Sequence, residues 1–255
     1  MEPDMKSAKN EQPATLKHVD NSQFIGIITA VIVIVLTLVL LAIWRYRRNA
    51  RRGILLLGMC DSGKTLIFSR LIHNKFVQTQ TSVKENAGDY IVKSGFLRVI
   101  DIPGHERVRS KFFDQFKVVA RGIVYVIDSV TYHKEIHDVA EFLYNILSDT
   151  VVASNSPPVL ILCNKQDQPL AKGCKVIQSY LEKEMNVLRV TKSNQLESTN
   201  DSGTTNNILG KKDKDFEFSH LHPLKVEFAE SAALTKDKDN AADLDALKLW
   251  LNKIA

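Results

Sequence analysis

The apolar positions of this chain fall into two regimes. From Phe24 to Trp44 the sequence reads FIGIITAVIVIVLTLVLLAIW, with no charge and no polar face. Beyond Gly53, short apolar runs alternate with stretches whose apolar residues recur at helical spacing. As a helix rising about 1.5 Å per residue, the first run is about 31 Å long, close to the hydrocarbon thickness of a bilayer. A helix satisfies its own peptide groups in lipid, so the many β-branched residues are no obstacle there. The pattern therefore predicts one transmembrane helix over 24–44. A cleaved signal segment would carry basic residues first and end in small residues. Here Arg45, Arg47, Arg48, Arg51 and Arg52 come after the run instead. The positive-inside bias makes 45–52 a basic juxtamembrane linker, places the chain from there to its C-terminus in the cytosol, and sends the polar tail 1–23 to the lumenal or exterior side.

In the second regime, Gly53–Gly58, Gly122–Asp128 and Val159–Asn164 are apolar without alternation, as strands buried on both faces are. Tyr90–Val92 and Phe96–Asp101 read as neighbouring strands around a turn at 93–95, and Leu224–Phe228 as a sixth. Helical spacing marks His133–Asp149, Ala171–Leu188 and Ala242–Ile254, whose apolar stripes are core faces with no chemistry assigned to them. Strands alternating with helices predict an α/β domain over 53–255, a mostly parallel six-stranded sheet with helices on both faces. One stretch interrupts it. Thr191–Asp213 is rich in Ser, Thr, Asn and Gly and reads as a long loop, a polar insertion at about 190–215.

A net charge of +5 admits nucleic acid or an anionic membrane as partner. The basic residues concentrate beside the apolar run, which favours the membrane, and no direct nucleic-acid binding is expected. Three cysteines, Cys60, Cys163 and Cys174, form no metal-ligand spacing and suit a reducing compartment.

Three motifs carry the chemistry. Gly58-Met59-Cys60-Asp61-Ser62-Gly63-Lys64-Thr65 fits G-x-x-x-x-G-K-[ST] between a predicted strand and a predicted helix that Leu66 continues. Its glycines let consecutive N–H groups converge on phosphate oxygens at a helix N-terminus. Lys64 is expected on the β- and γ-phosphates and the Thr65 hydroxyl on Mg²⁺. Asp101-Ile-Pro-Gly104-His105-Glu106 supplies a hard oxygen ligand for Mg²⁺ in Asp101 and a γ-phosphate N–H in Gly104. The adjoining loop, 105–109, is then a nucleotide-dependent switch. Asn164-Lys165-Gln166-Asp167 selects the base: the Asp167 carboxylate accepts the paired N1–H and N2–H₂ donors of guanine, and adenine would leave it unpaired. The Lys165 stem can cover the purine face, and Asn164 can tie this loop to the first. Ser231-Ala232 after the last strand is weaker, a backbone N–H for guanine O6. Within Thr79-Gln80-Thr81-Ser82, Thr81 is the choice for closing over Mg²⁺ and the γ-phosphate, with Thr79 and Ser82 as neighbouring candidates. These elements, in order and each at a strand's C-terminal end, define a P-loop GTPase of Ras-like type binding GTP and Mg²⁺.

The combination of the anchor, GMCDSGKT, TQTS, DIPGHE, NKQD, and a polar insertion ending in GKKDKDFEFS resembles the β-subunit family of the signal recognition particle receptor. The resemblance implies residence in the endoplasmic reticulum membrane. It also implies GTP-dependent association of the switch face with the receptor's α subunit, and proximity to ribosome or translocon during protein targeting. Many relatives in the wider superfamily place a glutamine after the DxxG glycine to orient the attacking water, whereas this chain has His105. Slow hydrolysis, accelerated by a partner, is therefore expected, with His105 and Lys64 as the catalytic candidates. A constitutively GTP-loaded adapter is the alternative. A transport or biosynthetic NTPase is disfavoured, since one helix makes no pore.

Overall fold

The computed structural model describes residues 21–93, 95–198, 209–211, 214–234 and 242–255. The chain divides into two compact units, Met1–Arg47 and Arg48–Ala255. The first holds most of helix α1, Asn21–Ala50. Its described side chains, those of 26–42, expose Ile, Val and Leu on every face, with Ile27 at 62% and Leu41 at 55%. A contiguous apolar surface of this extent marks contact with protein or membrane. Among the described residues, no helix is long and apolar enough to cross a membrane; the stretch 26–42 by itself is only about 25 Å of helix. The expected tail lies almost wholly outside the described residues.

The second unit is one six-stranded sheet, built from β1 (Gly53–Leu57), β2 (Asn86–Val92), β3 (Gly95–Asp101), β4 (Ala120–Asp128), β5 (Val159–Asn164) and β6 (Val226–Glu230). The order is β2-β3-β1-β4-β5-β6, with β2 antiparallel to β3 and every other pair parallel. All five residues of β1 and all six of β5 are buried, which accounts for their unbroken apolar runs. The edge strand β2 alternates instead, so its first four residues, Asn-Ala-Gly-Asp, escape an apolar pattern. The expected strand at Leu224–Phe228 starts two residues later and ends at Glu230.

Helices α2 (Lys64–His73) and α7 (Asp245–Ile254) cover one face, where Ile67, Leu71, Leu247, Trp250 and Leu251 pack on Ile54, Leu56, Val124 and Val126. Helices α3 (Glu106–Phe116), α4 (Ile136–Ser148), α5 (Thr150–Asn155) and α6 (Cys174–Ser198) belong to the other, with Phe113, Leu143, Val152 and Leu181 against Leu55, Tyr125 and Ile161. Asp149 caps α5 by accepting from the Val151 and Val152 N–H groups at 2.9 and 3.1 Å, breaking the α4–α5 run at a point apolar spacing did not mark. Helix α6 continues to Ser198, so the opening of the stretch read as a loop, Thr191–Ser198, is helical. Of the remainder, only 209–211 is described. That return is fixed by Arg189, a buried guanidinium donating to the Lys211 and Lys214 carbonyls at 2.7 and 2.6 Å.

Candidate functional site

The strand order reverses direction about β1, whose neighbours β3 and β4 lie on opposite sides. At such a switch point the loops leaving two strands part and open a crevice at their C-terminal ends. The turn Gly58–Gly63 leaves β1 there and delivers the chain into α2. Gly63, the residue before the helix, has φ 93°, and a side chain on it would run into the Asn164 amide. Only glycine meets both demands. An open cleft lies over this turn, lined on one side by Cys60, Lys64 and Thr65, on another by the segment 79–82, and closed by Pro103 and Gly104. A Cβ on Gly104 would lie 2.7 Å from the Cys60 nitrogen and 2.8 Å from Lys64 Nζ, so the two loops meet through a glycine.

Lys64 is buried and donates to the Met59 carbonyl and, at 3.3 Å, to Ser62 Oγ. Burial lowers its pKa to about 8, against the attraction of Asp101. Thr65 Oγ1 donates to Asp101 Oδ2 at 2.8 Å and lies 3.2 Å from Ser82 Oγ; Asn86 Nδ2 donates to the same Asp101 oxygen at 3.1 Å. The other oxygen, Asp101 Oδ1, is buried with no protein donor. Burial pushes the Asp101 carboxyl up, while the Asn86 and Thr65 bonds and the Lys64 charge pull it down. Thr65, Asp101 and the 79–82 segment thus converge. Within that segment Ser82 makes the hydroxyl contact, while Thr79, Gln80 and Thr81 line the cleft.

Asn164, at the end of β5, is 2% exposed. Its amide donates to the Ser62 carbonyl at 2.9 Å, and its Oδ1 accepts from Ser231 Oγ at 3.2 Å and from the Ala233 N–H at 3.1 Å. One side chain thereby fixes three loops from three strands. Lys165 comes next with φ 68°, a left-handed backbone that costs a non-glycine residue about 1 kcal/mol. Two bonds hold it there: Gln166 N–H to the Ser231 carbonyl and Gln168 N–H to the Lys165 carbonyl, both 3.1 Å. Asp167 Oδ2 accepts from Gln168 Nε2 at 2.9 Å, and Asp167 Oδ1 is buried without a protein donor.

The backbone N–H groups of Ser231-Ala232, expected on a purine oxygen, donate within the protein here. Ser231 N–H donates to the Cys163 carbonyl and Ala232 N–H to the Asp243 carbonyl, each at 3.0 Å. The ladder from β5 to β6 runs on past the strand end, and an isolated bridge Ala232–Asp243 takes the next donor. His105 stands exposed as the cap of α3, its Nδ1 accepting from the Arg107 N–H at 3.3 Å. Leu66 is half-buried against the α2 side of the core.

Apolar and motif patterns missed three contacts. Asp128, at the C-terminal end of β4, accepts from Lys165 Nζ at 2.7 Å, from the Val130 N–H and from the Thr131 hydroxyl. Its position on the same sheet edge as the motifs was the available signal. Arg109 donates to Met59 Sδ at 3.0 Å and stacks on Phe142 at 4.5 Å, joining α3 to the phosphate turn. Gln166 Nε2 bridges Ser129 Oγ and the Lys172 carbonyl, both 3.0 Å away.

Burial pushes the Asp128 carboxyl up, but its bonds from Lys165, Val130 and Thr131 hold it below the ordinary range. Its stabilising contribution is therefore whole above about pH 4 and is lost as the pH falls through the lowered folded value. Asp128→Ala is expected to free the Lys165 stem and weaken purine-nucleotide binding by roughly five- to tenfold, the worth of a partly buried, hydrogen-bonded pair. Calorimetric titration reads the affinity. Unfolding in urea should show the stability deficit at pH 7 shrinking below about pH 4. Parent-like affinity would show that the pair does not position Lys165.

A sheet of this order, with a P-loop leaving β1, a DxxG turn leaving β3 and an NKxD turn leaving β5, places the second unit among the small GTPases. The family model described as signal recognition particle receptor beta subunit matches residues 49–226. The human signal recognition particle receptor subunit beta is 47% identical over 235 residues, covering 91% of this chain and 86% of the human one. That of Dictyostelium discoideum is 30% identical over 211 residues, covering 80% and 71%. The chain belongs to the signal recognition particle receptor beta subunit family. A structure of the mammalian SRP receptor superposes with TM-score 0.70 at 47% identity, covering 80% of this chain and 100% of that one. A receptor beta chain from the Chaetomium thermophilum SRb-GTP/SRX complex superposes with TM-score 0.61 at 17% identity, covering 79% and 97%, and shares the fold.

Proposed function

We propose that this protein is a membrane-anchored GTP-binding subunit that holds the receptor's α subunit at the endoplasmic reticulum in a GTP-dependent manner. One observation carries the nucleotide reading. Among the described residues, two buried carboxylate oxygens lack any protein donor, Asp101 Oδ1 and Asp167 Oδ1. The first lies beside the Thr65 hydroxyl where a hard cation belongs, the second on the NKxD turn where a purine edge belongs. Among the described residues no group of three His, Cys, Asp or Glu side chains could hold a metal ion. A cation here would draw on Asp101, Thr65 and a hydroxyl of the 79–82 segment, completing its shell with phosphate oxygens and water. This fits Mg²⁺, which when bound offsets the charge of a transferring phosphoryl group. Lys64 would neutralise phosphate oxygens, and the Gly104 N–H would sense the terminal one. Asp167 would choose guanine, and Lys165 would cover the base.

Anchoring rests on the uncharged run 24–44, the apolar surface of α1 all round and the arginines beyond it. The same bias supports a lumenal N-terminus and a cytosolic GTPase unit. The α subunit as partner is supported by the family and by the Chaetomium thermophilum SRb-GTP/SRX complex. A switch formed by 79–82 and the turn at Gly104 would present that partner's docking face only with the γ-phosphate in place. The combined test is calorimetry of the full chain with GTP and ATP in magnesium, then capture of the α subunit in GTP against GDP. Equal affinity for ATP would overturn the reading.

His105 favours slow turnover. It replaces a water-orienting glutamine, and its Nδ1 is engaged in capping α3. The purified chain is expected to retain GTP for many minutes with magnesium, measured by single-turnover release of phosphate. Addition of the α subunit separates a regulatory GTPase, which accelerates, from a constitutively loaded adapter, which does not. Turnover as fast as that of an activated GTPase without a partner would contradict the assignment of His105.

A further inference from the structure

The edge of the sheet opposite the nucleotide cleft carries a mixed apolar and basic surface. Here β1, β3 and β4 begin and β2 ends. Ile91 and Phe96 are direct cross-strand partners on the face of the β2–β3 hairpin not covered by α2, and they are 84% and 45% exposed. The Arg52 guanidinium stacks on Phe96 at 4.5 Å, and the Arg52 carbonyl accepts the Arg98 N–H at 2.8 Å. In the short 3₁₀ turn Lys117–Val119, which leads into β4, Val118 and Val119 are 58% and 44% exposed. The Val119 carbonyl lies 2.9 Å from where a Cβ on Gly53 would stand, so this turn adjoins the first residue of β1. Isolated exposed apolar residues are ordinary; four on one sheet edge, interleaved with arginines, are not.

We propose that this edge is a docking surface for anionic lipid, against which the GTPase unit lies. The proposal rests on the membrane-anchor reading and goes beyond it, since an anchor alone fixes no face. Two observations choose lipid. The first is charge: Arg51, Arg52, Lys93 and Arg98 meet on this edge. The nearby acids do not outweigh them: Asp89 stands opposite Arg98 in register, and Asp114 is paired with Lys117 at 2.6 Å. Cytosolic leaflets carry anionic headgroups that attract such clusters. The second is the covalent chain. Gly53 lies nine residues beyond the proposed anchor, at most about 30 Å fully extended, so the covalent link to the anchor enters the GTPase unit at this edge. Arginine stems and the apolar side chains can enter the headgroup region while the guanidinium groups meet phosphate.

The test uses the full chain in vesicles whose lipids carry brominated acyl chains, with an indole placed by I91W and, as a second variant, F96W. The native tryptophans provide the references: Trp44 ends the proposed anchor and Trp250 is buried on the inner face of α7. In phosphatidylserine-containing vesicles the added indole should lose about half its emission or more. Neutral phosphatidylcholine, or R51E/R52E/K93E/R98E in the same background, should restore most of it. Retained GTP binding shows that each variant is folded. An added indole left bright while Trp44 is quenched would overturn the docking surface and leave the anchor standing. Trp44 left bright would overturn both. Quenching equal in neutral lipid would remove the basic residues from the account, and shielding that requires the α subunit would make this edge a protein interface instead.

Discussion

Asp167→Asn should lower the affinity for GTP by roughly 100- to 10,000-fold and turn the preference toward XTP. A carboxylate on this turn accepts two parallel donors from guanine, and each charge-assisted bond contributes about 1.5–3 kcal/mol. The neutral amide weakens one of these bonds and sets donor against donor at the other; about 3–6 kcal/mol in all, at about 1.4 kcal/mol per tenfold, gives the range stated. The amide offers one donor and one acceptor, which matches xanthine, where an oxygen replaces the exocyclic amine of guanine. The geometry supports a pure binding effect. Asp167 Oδ1 makes no bond within the protein, and Oδ2 accepts only from the neighbouring Gln168 at 2.9 Å, so the fold loses little. Competition of GTP and XTP against a fluorescent guanine nucleotide measures both changes. Unchanged GTP affinity would show that Asp167 does not read the base, and the guanine assignment would fall with it.

Asn164→Ala is expected to do more to the protein than to any single contact. The side chain is almost wholly buried, and it alone joins the Ser62 carbonyl to the Ser231 hydroxyl and the Ala233 N–H. Truncation leaves three buried polar groups without partners, at about 1–3 kcal/mol each before relaxation. Water entering the gap and movement of the Ser231 loop should recover part of this, so a loss of about 3–4 kcal/mol is expected in urea unfolding of the detergent-solubilised chain. GTP binding should fail beyond what that loss explains, because the phosphate turn and the base turn lose their common reference. Asn164→Asp is the informative comparison. It keeps the acceptor for Ser231 and Ala233 but sets a carboxylate against the Ser62 carbonyl, and should be at least as damaging. A parent-like urea midpoint with parent-like affinity in Asn164→Ala would show that the three loops are held independently.

Legibility along the chain tracked burial. β1, β4 and β5 are covered on both faces, so their residues form unbroken apolar runs and their positions are plain in the sequence. The edge strand β2 was seen only at its last three residues, because Asn86–Asp89 answers to no buried face. Helix α3 gave no apolar stripe to read: of Glu106–Phe116 only Phe113 is buried. Helix α6 outran its apolar stripe, continuing through polar residues to Ser198.

The site divides the same way. Motifs in which backbone geometry and chemistry are contiguous, such as Gly58–Thr65, Asp101–Gly104 and Asn164–Asp167, could be read directly, since a turn and its functional side chains are specified within a few residues. Most pairings across strands could not, the tie from Asn164 to the phosphate turn excepted. The pair Asp128–Lys165 spans 37 positions and exists because β4 and β5 are neighbours in register at Asp128 and Asn164. The fate of the Ser231 and Ala232 N–H groups was decided by where Cys163 and Asp243 arrive in space. Whether Thr81 or Ser82 faces Thr65 depends on the path of an irregular segment that no periodicity constrains, and the structure gives that contact to Ser82.

By itself the sequence determined the α/β class, the family resemblance, the phosphate and base motifs and the apolar run with its trailing arginines, because each is written in local patterns of burial, turn chemistry and charge. Only the tertiary structure decided that Asn164 is the joint of three loops, that His105 caps a helix, that two carboxylate oxygens face no protein donor, and that Ile91, Phe96 and Arg52 share an edge with the start of β1. These are properties of strands brought side by side by the burial of two apolar faces, and distance along the chain carries no record of them.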